Sequence, residues 1–159
     1  MDGYYFPGGY PELHAEALSK NRSLLKEVKK AGTFGKMILG ECGGLMYLGK
    51  YITGEAGKKF SMAGLFNFAT SIKARKLTLG YRKLTNTSSK NKNPVLFGHE
   101  FHYSTFTVNK ERTQWTDCHS KKPVVLKDGY RIKNCHSFYT HIYWASNKNW
   151  LNYLTKATL

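Results

Sequence analysis

Cys42 has the surroundings most typical of a reactive side chain in this sequence. Residues 36–49 read KMILGECGGLMYLG, so Gly43 and Gly44 directly follow the thiol. Small neighbours let the backbone bend, let a carbonyl compound approach and leave the Gly43 N–H free to bind an oxyanion. This pattern indicates a nucleophile that attacks a carbonyl carbon. The alternative is that Cys42 is a small apolar side chain buried at the end of a strand.

A cysteine nucleophile needs a base to accept its proton, and the chain has six histidines. We favour His141, because the preceding segment 137–140 (SFYT) is predicted to be a strand. The end of that strand would hold the imidazole over the thiol. A structural or surface role is the alternative interpretation of any single histidine.

The segments around Cys42 predict a strand, a tight turn and a helix. The apolar run 37–39 is too short for a helix and is typical of a buried parallel strand. Residues 45–48 are predicted to be helical, with Gly49 at the end. Together they form a nucleophile elbow, and the helix N-terminus is expected to lower the pKa of the thiol.

The first 52 residues are predicted to form a parallel α/β unit. Residues 3–6 are a short aromatic strand, which the turn PGGYP follows. Residues 12–30 show helical spacing of apolar side chains, with Leu13 on the apolar face, and Gly32 ends the helix. The strand and helix of the elbow come next.

The rest of the chain is predicted to hold short strands joined by turns. The predicted elements are one or two strands in 69–84, a surface loop at 86–93, a strand at 95–108, a hairpin of 124–126 and 130–132 around an Asp128–Gly129 turn, a strand at 135–139, and a final helix from Asn147 or Asn149 to Lys156.

Length and composition favour one folded domain. The chain has 159 residues, of which 41% are hydrophobic and 14% aromatic. No apolar run approaches the ~18 residues that span a bilayer, and no signal peptide is visible at the N-terminus, so we expect a cytoplasmic protein. The chain has only three cysteines, and this small, odd number argues against a disulfide framework.

Two further interpretations stay open, the first of them because the net charge of +15 is high for this length. One is a basic module that binds nucleic acid, although the cations are scattered and no base-reading motif is visible. The other is a metal site built from Cys118–His119 and Cys135–His136. Adjacent residues on a strand point to opposite faces, which argues against such a site.

Five segments together resemble one protein family in order and spacing. They are GGYPELHA (8–15), ECGGLMYLG (41–49), LGYR (79–82), GHEFHYS (98–104) and SFYTHIYW (137–144). The chain is similar in these segments to the glutamine amidotransferase domain of cobyrinic acid a,c-diamide synthase. The resemblance implies an α/β fold with a three-layer, doubly wound, mostly parallel sheet that is truncated at its N-terminus and carries antiparallel hairpins in its second half.

The resemblance also implies roles for single residues. Cys42 is implied as the nucleophile on the side-chain amide of glutamine, and His141 as the residue that activates it. Gly43 and Gly9 are implied to offer backbone N–H groups to the oxyanion. The remaining motif residues are expected to bind substrate: Arg82, Glu100, His102 and Tyr103.

The implied function is to hydrolyse glutamine and supply ammonia for amidation of the a and c carboxylates of cobyrinate. The implied partners are glutamine, a synthetase domain and a cobyrinate-type tetrapyrrole, with neither nucleic acid nor membrane. The domain itself is expected to hold no metal or cofactor, whereas ATP and Mg²⁺ are implied on the synthetase domain. The alternative is a catalytically inactive remnant, or a stand-alone domain of the same fold with a binding role.

Three departures from the family pattern shape these expectations. No G-x-x-x-x-G-K-[ST] phosphate loop is present, so we expect residues 1–159 to be a single amidotransferase-like domain, the C-terminal part of a larger synthetase. The chain begins almost at the GGYPE turn, which leads us to expect a fragment, a split subunit or the product of a broken gene. Tyr143 stands where many related glutaminases carry a glutamate, so a Cys–His dyad is expected without a third, acidic member.

Overall fold

The structure is a computed structural model that describes residues 2–86, 95–111, 113–117, 127–147 and 149. The helices are α1 (Ala15–Lys20), α2 (Arg22–Thr33) and α3 (Gly43–Leu48), with 3₁₀ turns at Pro11–His14 and Trp144–Ser146. The strands are β1 (Gly3–Phe6), β2 (Met37–Glu41), β3 (Tyr51–Thr53), β4 (Lys59–Ser61), β5 (Phe68–Ser71), β6 (Thr78–Asn86), β7 (Val95–His102), β8 (Thr105–Asn109), β9 (Thr113–Asp117), β10 (Lys127–Ile132), β11 (Cys135–Phe138) and β12 (His141–Ile142).

The strands form two sheets. The larger has eight strands in the order β1-β2-β11-β10-β9-β6-β7-β12, and the smaller has four in the order β4-β3-β5-β8. The parallel pairs are β1 with β2, β2 with β11, and β3 with β5, while the other pairs are antiparallel. Helix α3 contacts strands of both sheets.

The α/β class and the antiparallel strands of the second half are confirmed, but the large sheet is mixed rather than mostly parallel. Turns as short as the one between β10 and β11 can join only antiparallel neighbours, whereas a parallel pair needs a longer crossover. In the large sheet, the pairs of the second half that follow one another along the chain are all antiparallel: β6 with β7, β9 with β10 and β10 with β11. The parallel part of the sheet is thus limited to the strands that flank the elbow.

The main core lies between the two sheets and is rich in aromatic side chains. The ring of Phe68 on β5 lies 5.3 Å from that of Phe106 on β8 and 5.3 Å from that of Tyr130 on β10. Phe106 in turn contacts Tyr139, with ring centroids 4.9 Å apart. Rings from both sheets therefore pack into one cluster, and a separate smaller cluster that includes Leu84 and Phe138 packs elsewhere on the large sheet.

The single helix predicted over 12–30 is three shorter elements, while the strand predicted at 3–6 is confirmed. The break falls at Asn21, whose side-chain oxygen accepts a hydrogen bond from the Leu24 N–H at 3.3 Å. Asparagine competes with the helix backbone in this way and favours an N-cap. The expected apolar face is present at Leu25 and Val28, which are buried, but not at Leu13, which is 73% exposed.

The hairpin predicted around Asp128–Gly129 was wrong. Both residues lie inside β10, and the turn to β11 falls at residues 133–134 instead. The Asp128 carboxylate is buried and accepts hydrogen bonds from the Tyr139 and Thr140 N–H groups, at 3.0 and 2.9 Å. A side chain bound in this way behaves as part of the core, although the Asp-Gly pair is typical of a turn.

Other predicted elements are partly tested. The strand expected at 95–108 is the pair β7 and β8, and the strand at 135–139 is confirmed as β11. Most of the loop predicted at 86–93, all of segment 124–126 and most of the final helix lie outside the described residues. Within the described part of the chain, no helix has both the length and the apolar character needed to cross a membrane.

Candidate active site

Cys42 lies at the junction of β2 and α3, as the elbow prediction requires. Its backbone has φ +49° and ψ −104°, a conformation that residues other than glycine rarely adopt. The Cys42 N–H donates a 2.7 Å hydrogen bond to the Phe138 carbonyl on β11, which fixes the bend against the neighbouring strand. A strained backbone held by its surroundings is a recurrent feature of functional sites.

The glycines around Cys42 are required by close backbone approach. A Cβ atom on Gly43 would lie 2.5 Å from the Gly9 carbonyl oxygen, and one on Gly44 would overlap the Phe6 carbonyl. A Cβ atom on Gly40 would lie 2.6 Å from Leu48. The elbow is thus packed against the PGGYP turn at Gly43 and against the backbone of β1 at Gly44, so only glycine fits at these two positions.

A cleft of about 540 Å³ joins Cys42 to His141, which lies 99 positions later in the chain. Its lining consists of Gly9, Tyr10, Cys42, Leu79, His99, Phe101 and His141. Cys42 is 5% exposed but forms part of the cleft wall, so its sulfur is not sealed in the core. The two residues predicted to act together are therefore brought to one site, and predicted Gly9 joins them.

His141 is held in place by packing. Its ring stacks on His99 with centroids 4.9 Å apart and an interplanar angle of 11°. On another side it lies against Gly8, where a Cβ atom would overlap the imidazole. Burial lowers the pKa of His141, and the nearby His99 and His102 lower it further. The imidazole is therefore neutral near pH 7, the form that can accept a proton.

The expected low pKa of the thiol was wrong. Burial raises the pKa of Cys42 to about 11, and the carboxylates of Glu12, Glu100 and Glu41 raise it further, while the Gly43 N–H opposes the rise. A helix of six residues contributes too little to outweigh the loss of water and three nearby negative charges. At neutral pH the resting pair is a thiol and a neutral imidazole.

The four predicted substrate-binding residues do not belong to the cleft lining that the described residues form. Arg82 pairs with Glu100 through Nε at 2.7 Å and Nη2 at 2.5 Å, which ties β6 to β7. Although burial opposes it, the nearby His102 and the ion pair with Arg82 hold the pKa of Glu100 below its ordinary value. The His102 ring stacks on Tyr139 at 4.0 Å, and Tyr103 is 41% exposed. Their role in binding substrate stays a prediction.

Comparison with known proteins places this site in a family. Residues 1–149 match the CobB/CobQ-like glutamine amidotransferase domain. The chain belongs to this family. The match includes the elbow, the PGGYP turn and the strand that carries His141.

Curated relatives of this amidotransferase domain are amidating synthases. The chain is 38% identical over 161 residues to the cobyrinate a,c-diamide synthase of Leptospira interrogans, which covers 94% of this chain and 34% of that protein. It is 36% identical to the enzyme of the same name from Saccharolobus solfataricus, covering 91% of this chain and 34% of that protein. It is 42% identical over 104 residues to the hydrogenobyrinate a,c-diamide synthase of Rhizobium meliloti, covering 65% of this chain and 24% of that protein. The chain thus spans about a third of its relatives' length.

Solved structures confirm the class I amidotransferase-like fold. A crystal structure of a glutamine amidotransferase aligns with a TM-score of 0.71 at 15% identity, covering 99% of this chain and 79% of that one. The structure of PurLQS from Thermotoga maritima aligns with a TM-score of 0.60 at 17% identity, covering 88% and 68%. At these identities the likeness concerns the fold.

Sequence reasoning missed four lining residues of the amidotransferase cleft: Tyr10, Leu79, His99 and Phe101. His99 and Phe101 lie on β7 in the GHEFHYS segment, where Glu100 between them points to the other face. Alternation of side chains along a strand is the signal that would have separated them. Leu79, at the start of the LGYR segment, was missed in the same way.

Glu41, directly before Cys42, was also missed. It is 3% exposed, and its carboxylate accepts a hydrogen bond from the Tyr5 hydroxyl at 3.2 Å. Burial raises the pKa of Glu41 to about 7, while hydrogen bonds from Tyr5, the Trp144 side chain and the Ile142 N–H act in the opposite direction. Glu41 therefore connects the elbow strand to β12 and the turn after it, the segment that carries His141.

The described residues hold no group of three or more histidine, cysteine or acidic side chains arranged to bind a metal ion. Cys135 and His136 are buried on β11, and the Cys135 thiol donates to the Lys36 carbonyl at 3.6 Å. The other half of that alternative, Cys118 and His119, lies outside the described residues.

Proposed function

We propose that this chain hydrolyses glutamine, with Cys42 as nucleophile and His141 as its base. The observation that supports it most directly is the shared cleft of Cys42 and His141, with the nucleophile on a bend of positive φ. Membership of a glutamine amidotransferase family supplies the substrate class.

In the proposed first step, the Cys42 sulfur attacks the side-chain amide carbon of glutamine while His141 takes the thiol proton. The resulting tetrahedral carbon carries an oxyanion. His141 then gives its proton to the amide nitrogen, the carbon–nitrogen bond breaks, and ammonia leaves. A thioester between Cys42 and the glutamyl group remains. Water, losing a proton to His141, hydrolyses it to glutamate and restores the thiol.

The oxyanion is proposed to bind backbone N–H groups of Gly43 and Gly9. Gly43 begins α3 beside the sulfur, and its N–H already opposes the rise in the Cys42 pKa. Gly9 lines the cleft, and a Cβ atom there would have nothing within 4 Å, so the backbone at this point faces open space. Two such donors are typical of sites that stabilise tetrahedral intermediates.

The ammonia is proposed to reach a synthetase domain that amidates the a and c carboxylates of a cobyrinate-type tetrapyrrole, using ATP and Mg²⁺ held on that domain. The support is the names of the relatives and the third of their length that this chain spans. The tetrapyrrole and the synthetase domain are accordingly the proposed partners.

Glutamate release from glutamine tests the proposal, measured on the chain alone and with a relative's synthetase domain added. Cys42→Ala should lower the rate by at least about a thousandfold, because it removes the nucleophile. Cys135→Ala is the matched control, since Cys135 is equally buried and lies outside the cleft lining. Equal rates for the parent and Cys42→Ala would overturn the mechanism.

The alternative, an inactive domain that only binds, is favoured by one observation: the raised pKa of Cys42. A glutamine-like chloroketone separates the two functions, because it alkylates a thiol efficiently only where that thiol is nucleophilic and lies beside the bound glutamine analogue. Labelling of Cys42 but not Cys135 supports the enzyme. Glutamine binding without labelling or turnover, with and without the synthetase domain, supports the inactive domain.

A further inference from the structure

A second concavity lies between α1, α2 and β4 and shares no lining residue with the amidotransferase cleft. Its volume is about 450 Å³, within the usual size of small-molecule sites. Six basic side chains line this basic groove: Lys20, Arg22, Lys26, Lys29, Lys58 and Lys59.

The concentration of cations exceeds what the composition of the chain explains. Thirteen residues line the basic groove, and six of them are basic against one acidic residue, Glu16. If basic residues lined the groove in the same proportion as in the whole chain, 25 of 159, only about two of the lining residues would be basic. The excess is therefore local to this groove.

The acidic residue of the groove neutralises only part of this charge. Glu16 lies 3.2 Å from Lys20 and 3.8 Å from Lys58, so one carboxylate serves two ammonium groups. Within the described part of the chain, no salt bridge involves Arg22, Lys26 or Lys29. Three cations on one wall of the groove thus remain uncompensated there.

These three cations share one side of α2. Arg22, Lys26 and Lys29 are separated by four and three residues, the spacing at which helical side chains are neighbours. Like charges at this spacing repel each other. A bound anion would remove that repulsion, and the cations would not need to move far to contact it.

The floor of the groove is apolar. Leu25, Phe60, Met62 and Ala63 line it, and Met62 and Ala63 are buried. The Lys58 ammonium lies 5.1 Å from the centre of the Phe60 ring, so charge and apolar surface adjoin. A ligand that fits such a site carries several negative charges at one end and an apolar body at the other.

We propose that the basic groove binds a small organic polyanion, with its anionic groups on Arg22, Lys26 and Lys29 and its apolar part against Phe60. The anionic groups are phosphates or carboxylates, which the cations recognise by the same chemistry. This inference is independent of glutamine hydrolysis, since no residue of the groove lines the amidotransferase cleft.

Calorimetric titration of the full chain at low ionic strength tests the proposal with three probes: ATP, inorganic triphosphate and propane-1,2,3-tricarboxylate. Whichever of inorganic triphosphate and the tricarboxylate binds more tightly shows whether the groove prefers phosphate or carboxylate groups. ATP should bind more tightly than inorganic triphosphate, because only ATP brings an apolar ring to Phe60. Phe60→Leu should reduce that difference and leave triphosphate binding unchanged.

The double variant Lys26→Gln/Lys29→Gln should weaken binding of the preferred probe at least about tenfold. The matched control Lys73→Gln/Lys76→Gln removes the same charge from exposed positions outside the groove and should change it less than about twofold. Arg22→Gln gives a second, single-residue test on the same wall. No binding of any of the three probes, or equal weakening by both double variants, would overturn the proposal.

Discussion

Gly8 has no side chain, and this leaves the space that the imidazole of the proposed base needs. The imidazole of His141 occupies the space where a Cβ atom on Gly8 would lie. Gly8 does not have a positive φ, so alanine is compatible with the backbone, and the three atoms nearest its methyl group all belong to the His141 ring. The PGGYP turn therefore acts on His141 through packing.

We predict that Gly8→Ala lowers glutamine turnover at least about a hundredfold, because displacing the imidazole by about an ångström breaks the Cys–His geometry. The control Gly54→Ala should cost far less, since Gly54 lies outside the cleft lining and its Cβ atom would meet only the Phe60 ring at 3.3 Å and the Lys58 carbonyl at 3.8 Å. Steady-state rates and the NMR titration of His141 measure both effects. Similar losses in the two variants would contradict this account of Gly8.

Glu12 is a second residue whose effect on the site can be isolated. Burial is the main cause of the raised pKa of Cys42, and among the carboxylates that raise it further Glu12 has the largest effect. Glu12→Gln should therefore lower that pKa and speed alkylation of Cys42 by iodoacetamide at pH 8 about two- to fivefold. Mass spectrometry of the Cys42 peptide measures the rate. Glu27→Gln, which removes an exposed carboxylate that does not act on Cys42, should leave it unchanged.

At the scale of elements, Glu41 links the elbow strand to the segment that carries His141. Its pKa is raised from 4.5 to about 7, so the folded chain keeps a proton that the unfolded chain loses between these values. The contribution of Glu41 to stability is therefore full below pH 4.5 and is lost as the pH rises through about 7.

We predict that Glu41→Gln flattens the pH dependence of the unfolding free energy between pH 5 and pH 8. The difference from the parent is on the order of 3 kcal/mol at most, from the 1.36 kcal/mol that each unit of pKa represents. Urea denaturation at the two pH values measures it. An unchanged pH dependence would show that Glu41 is ionised in the folded chain.

At the scale of the whole molecule, the two sheets depend on one aromatic cluster. Phe68 is fully buried, and its ring contacts Phe106 of the small sheet and Tyr130 of the large sheet. Because the cluster includes rings from both sheets, we expect the described fold to unfold as one cooperative unit.

We predict that Phe68→Ala lowers the free energy of unfolding by about 3–5 kcal/mol and preserves a single transition. The matched control is Phe34→Ala, whose side chain is 77% exposed and should cost less than about 1 kcal/mol. Denaturation followed by far-ultraviolet and near-ultraviolet circular dichroism measures both. Two separate transitions would show that the sheets unfold independently.

The sequence by itself determined the local chemistry. The glycines around Cys42 require a bend, the short apolar run before it requires a strand, and five ordered segments determined the family and with it the fold. These features depend on neighbouring residues or on linear order, so no knowledge of distant contacts was needed. The same reasoning selected His141, which the structure places in one cleft with Cys42.

Only the tertiary structure decided what surrounds those residues. The raised pKa of Cys42, the carboxylate of Glu41, the stacking of His99 on His141 and the burial of Asp128 all arise from contacts between residues far apart in the chain. Local sequence predicted a turn at Asp128–Gly129 and a lowered pKa for the Cys42 thiol. Burial overturned both predictions. The physical reason is that desolvation depends on the whole packed molecule, whereas backbone preference depends on a few adjacent residues.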